Sequence, residues 1–165
     1  MNQNASRQLA AIVAAGTLCG CMDISAAFVT WMPRGVSPRI ILQGIASALL
    51  GPSAFHEGTP TMALGLFLHF FIAFSWATVF YLASRSFPVL TRRPLLFGPL
   101  YGILVYLVMY WVVMPLSRFH GASRSIFNTV VAIVTHIFCV GLPIAFMVSR
   151  YSNRAQRKLT LRASS

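Results

Sequence analysis

Asp23, His69, Tyr106, Tyr110 and His136 are the side chains of this chain best suited to hold or pass a proton inside apolar surroundings. Asp23 lies in "GTLCGCMDISAAFVTW" and is one of only two acidic residues in 165. On a helical wheel it shares a face with Ile12, Gly16, Cys19, Gly20, Ala27 and Thr30, while Leu18, Phe28 and Val29 lie opposite. His69 falls on a face with Met62, Gly65, Ala73 and Trp76. Tyr106 falls with Pro99, Gly102, Tyr110 and Val113, and His136 with Ser125, Thr129, Ala132, Cys139 and Pro143. Small-residue faces let helix backbones approach and point into a bundle. Gly16/Gly20 and Gly98/Gly102 are therefore expected as close-packing pairs.

A charge deep in a bilayer costs several kcal/mol, so Asp23 is expected to be paired or protonated, with a histidine as partner and tyrosine hydroxyls completing the group. At about 1.5 Å per residue, all five side chains lie about 18–24 Å from the end of the bundle that carries both termini. Two readings of this layer stand side by side. One is a proton relay. The other is a network that pins or gates the bundle, weak as glue because such contacts average only about 0.6 kcal/mol. A third chemistry is ligation: His69 and His136 could hold a b-type haem, or Asp23, His69 and His136 a transition metal, with Cys19 and Cys139 near. No redox motif accompanies them, so the expectation is no cofactor. Cys21 points the other way, and three cysteines do not make a disulfide framework.

The elements that must position these residues are membrane spans. Hydrophobic residues make up 57% of the chain and charged residues 9%, against about 25% charged in soluble domains. The net charge of +11 sits at the ends of apolar runs rather than on a soluble surface, so nucleic acid is not an expected partner. Four runs reach the roughly 20 residues needed to span a bilayer: 9–32, 61–84, 95–116 and 126–149. Between the first two, "SPRIILQGIASALLG" begins with a serine cap and a proline and stops at Gly51-Pro52. Its helix over 38–50 is too short to cross. Arg39, Gln43 and Ser47 share one face and Ile41, Ile45 and Ala48 another, which predicts an interfacial helix or one tucked against the bundle mouth. The last 15 residues, 151–165, read as a disordered basic tail, a topology anchor or a contact for anionic lipid headgroups.

Nine Lys and Arg residues fall on one side of this topology: Arg7, Arg85, Arg92, Arg93, Arg150, Arg154, Arg157, Lys158 and Arg162. Four fall on the other: Arg34, Arg39, Arg118 and Arg124. Positive charge inside then predicts both termini in the cytoplasm, with Trp31 and Trp111 in the outer aromatic belt. A cleaved signal peptide competes for the N-terminus, since "LCGC" loosely resembles a lipoprotein box. Hydrophobicity resumes after Asp23 and fills a whole span, which favours an uncleaved helix.

No nucleophile elbow, P-loop or paired carboxylate is present, and His56-Glu57-Gly58 reads as a polar loop. An enzyme is not expected. The segments "PRGVSPRIILQGIASALLG", "LGLFLHFFIAFSWATVFYL" and "LYGILVYLVMYWVVMPLS", following "GxxxGxxDIxxAF", resemble small four-span inner-membrane proteins of proteobacteria, distantly the YagU-like group. The resemblance runs from Gly16 to Val148 and implies a bacterial plasma membrane without assigning an activity. The expected fold is all-α: an integral membrane bundle of four transmembrane helices plus one short interfacial or re-entrant helix. The expected function is proton-linked permeation or membrane homeostasis, with an accessory or assembly subunit of a larger complex as alternative. A homodimer through Gly16/Gly20 or Gly98/Gly102 is a further expectation.

Overall fold

The computed structural model describes residues 3–118 and 125–163. Arg124, counted above on the outer side, lies outside them. The first span, α1 (Gln3–Trp31), ends in a single 3₁₀ turn, Met32–Arg34, closed by Gly35 at φ 80°. Ser37 then caps α2 (Pro38–Leu50), its hydroxyl accepting from the Ile40 N–H at 3.4 Å. Gly51 at φ 69° ends that helix, and another 3₁₀ turn leads to α3 (Thr59–Ser86). The short α4 (Val89–Arg92) follows Pro88, and Pro94 opens the third span. That span comprises α5 (Pro94–Val108), a π segment (Met109–Val113) and α6 (Met114–Leu116). The fourth comprises α7 (Ile126–Thr135), a π segment (His136–Gly141) and α8 (Leu142–Ala163).

Among the described residues there is helix and turn but no strand. The four spanning helices have 29, 28, 23 and 27 residues in their apolar stretches, each long enough to cross a bilayer. Phe67, Phe71, Leu104, Trp111, Val130 and Phe138 stand exposed around the outside, as lipid-facing side chains do. The protein is an integral membrane bundle of four spanning helices, joined among the described residues by the shorter helices α2 and α4.

Its two ends are distinct. At the end with the chain termini, the Ser149 hydroxyl donates to Thr91 O at 2.6 Å, tying α8 to α4. At the loop end, the Arg118 N–H donates to Ala48 O at 2.9 Å, tying the end of the third span to α2.

For α2 one of the two expected placements is met, and for the tail the expectation needs correction. α2 packs against α3 through its polar side. Gln43 and Ser47 are buried with Ala46, whereas Ile40 and Leu49 are 47% and 56% exposed. Gln43 Nε2 donates to Gly58 O at 3.3 Å and Thr61 Oγ1 at 3.2 Å. A buried polar face with an apolar outer face suits lipid surroundings, and of the two expected placements α2 takes the one tucked onto the bundle. The tail differs: α8 runs unbroken to Ala163, where disorder was expected from residue 151. Its Arg, Gln, Lys, Leu and Ala residues are good helix formers.

The core joins α1, α3, α5 and α8 through Ala15, Cys19, Ala77, Phe80, Tyr101, Val105, Ile144 and Val148. Every one of these lies on the terminus side of Asp23, His69, Tyr106 or His136, whichever shares its span. The apolar core therefore lies toward the termini, while the loop end packs through Gln43, Ala46, Ser47, Ala54 and Thr61.

Candidate functional site

Close packing of α1 on α3 places the aspartate. A Cβ at Gly16 would strike the Phe74 ring and one at Gly20 the Phe70 ring, its Cε1 only 2.6 Å away. With no Cβ there, α1 settles onto those aromatics and brings Gly20 O within 2.8 Å of His69 Nε2. His69 Nδ1 faces Asp23 Oδ2 at 4.0 Å, with side-chain exposures of 11% and 28% respectively. A carbonyl oxygen only accepts, so Nε2 carries a hydrogen. In the neutral ring Nδ1 then presents a lone pair to the carboxylate, and the two attract only when one proton is added to either. At 4.0 Å the two are in electrostatic contact rather than hydrogen-bonded.

His136 belongs to a second group. Its Nδ1 donates to Ala132 O at 2.8 Å, and its ring stands edge-on to Tyr106 with centroids 5.6 Å apart. Tyr106 stacks on Tyr110 at 5.6 Å. Glycines bring the third and fourth spans together here: a Cβ at Gly141 would meet the backbone of Gly98 and Gly102, and one at Gly102 that of His136 and Ile137. Both expected glycine pairs are thus covered within the protomer. Gly16/Gly20 and Gly98/Gly102 hold this chain together and are not available as dimer faces.

The two groups meet at a cleft of about 210 Å³ between α1 and α7. α1 touches the fourth span along His136–Gly141 and along α8 but diverges from α7, which has no buried residue. Asp23 and His136 line the inner part of the cleft. Ala26, Ala27, Val131 and Ala132 form its walls, with Thr30 and Thr135 adding hydroxyls. Asn128, Trp31 and Arg34 complete the lining toward the loop end. The Arg34 guanidinium sits 5.0 Å from the Trp31 ring centroid and 5.1 Å from that of Phe127, a cation–π clamp across the two helices. On the terminus side the cleft is stopped by the core.

Of the five residues picked out by sequence, the structure splits Asp23 and His69 from His136, Tyr106 and Tyr110, and rejoins them only where Asp23 and His136 share the cleft. Among the described residues no group of three His, Cys, Asp or Glu side chains is gathered closely enough to hold a metal ion. Arg34 and Asn128 were missed. The signal for Arg34 was legible: positions 23, 27, 30 and 34 follow the 4-3-4 spacing of one helical stripe. The chain matches no protein-family model, no curated protein and no solved structure.

Proposed function

We propose that this small membrane protein carries out proton-linked permeation across a bacterial inner membrane, with both termini in the cytoplasm and the cleft opening outward. The Asp23–His69 pair is the proton-binding site, and His136 with Tyr106 and Tyr110 is the polar group beside it. The observation that carries the reading is the Asp23–His69 contact at 4.0 Å, whose carboxylate also lines the cleft between α1 and α7. An ion pair serving only as glue gains nothing from facing a cleft, whereas a site that loads and unloads protons requires access. Nine basic residues at the terminus end against four at the loop end support the orientation.

The test is proton flux into proteoliposomes loaded with a pH-sensitive dye. Asp23→Asn keeps the shape, and its amide can still donate to His69 Nδ1, so the variant should fold. Its flux should fall at least tenfold. Flux equal to that of the parent protein would end the relay reading.

A further inference from the structure

We infer that the cleft between α1 and α7 takes a small, slim zwitterion, its ammonium end at Asp23 and its anionic end at Arg34. The inference names the solute for the proton-linked reading above and rests on that reading only for the coupling. Asp23 and Arg34 put opposite charges into the lining of one cleft, eleven positions apart on the same stripe of α1 and its closing turn. Their Cα atoms are then separated by about 16 Å, and an arginine side chain laid along the cleft can reach to within about 10 Å of the carboxylate when a ligand draws it inward.

The Trp31 and Phe127 rings hold the Arg34 guanidinium at 5.0 and 5.1 Å, and its N–H groups remain the donors of the cleft lining that suit an anion. A guanidinium matches a carboxylate or phosphate with two parallel hydrogen bonds. At the other end, an ammonium arriving at the Asp23 carboxylate takes the place of the added proton, and His69 becomes the neutral ring donating to Gly20 O. One proton leaves the pair for each ammonium bound. Between the charges the alanine and valine walls offer an aliphatic linker a dry, narrow bed. The volume, about 210 Å³, falls below the roughly 300–1,000 Å³ of sites for drug-sized ligands, which restricts the occupant to an unbranched molecule. A dication would leave its second ammonium against Arg34, and a dianion would set a carboxylate against Asp23.

8-Aminooctanoate, with charges about 10 Å apart when extended, is the matching probe. Calorimetric titration of the purified protein should show it binding at least tenfold more tightly than 1,8-diaminooctane or suberate, with proton release in weak buffer. Arg34→Gln should weaken 8-aminooctanoate about tenfold and bring the diamine level with it, while Asp23→Asn should abolish proton release. Parity of the diamine or the diacid with the zwitterion in the parent protein would overturn the inference, as would no saturable binding of the zwitterion. Zwitterion binding without proton release would leave the inference standing and remove the proton-linked reading. Asp23-dependent proton flux without zwitterion binding would do the reverse.

Discussion

Gly141→Ala is expected to loosen the junction of the third and fourth spans, where His136 is held. A Cβ at this position falls against Gly98 O and 2.8 Å from Gly102 Cα. Carbon atoms in ordinary contact lie about 3.5–4.0 Å apart, so the two spans must separate by about 1 Å. The opposing atoms are backbone, and no rotamer change relieves them. Overpacking of this kind costs about 1–3 kcal/mol. Alanine returns about 0.5–1 kcal/mol of helix-interior backbone entropy, leaving a net loss of about 0–2.5 kcal/mol. Gly44 supplies the internal reference, because a Cβ there meets nothing within 4 Å. Gly44→Ala should therefore gain the entropy alone and stabilise the protein by about 0.5–1 kcal/mol. Unfolding by SDS titration in mixed micelles, followed by tryptophan fluorescence, reads both variants on one scale. If Gly141→Ala unfolds at the same SDS fraction as Gly44→Ala, backbone contact is not what sets this helix crossing.

In a background free of native cysteines, Ala27→Cys and Thr135→Cys should react at least tenfold faster with a water-soluble methanethiosulfonate than Ala77→Cys, which is 0% exposed in the parent protein. Equal rates would show that the cleft does not admit water. Gln43→Ala removes the side chain that binds Gly58 O and Thr61 Oγ1, and should destabilise the protein by about 1–3 kcal/mol in the same SDS titration. An unchanged midpoint would mean that α2 is not held by its polar face. Tyr101→Phe loses the hydroxyl that donates to Trp76 O at 2.7 Å. The loss should be about 0.5–1.5 kcal/mol, and a larger one would point to a role for Tyr101 beyond this hydrogen bond.

The spans were legible because their signal is local. A run of some 20 apolar residues must become a helix in lipid, since every backbone N–H and C=O has to be paired within the segment. Serine-proline and glycine-proline boundaries likewise marked α2 without any tertiary information. Which face of α2 turns inward was not legible. Its wheel separates Gln43 and Ser47 from the isoleucines correctly, but which side faces inward depends on whether water or lipid surrounds the helix. The wheel does not contain that information.

For the candidate site, the sequence by itself determined which residues could carry protons, which helix faces bear them and that they share one depth. Helical spacing also lined up Asp23 with Arg34, since a stripe on one helix is a property of 3.6 residues per turn alone. What it did not determine is which stripe meets which. Only the tertiary structure paired His69 with Asp23, set His136 against Tyr106, turned both glycine pairs inward and parted α7 from α1 to open a cleft. Those outcomes follow from packing between helices, where the missing Cβ atoms of Gly16, Gly20, Gly98, Gly102 and Gly141 fix each approach. Packing couples residues far apart in the chain, and no periodicity within a single helix encodes its partner.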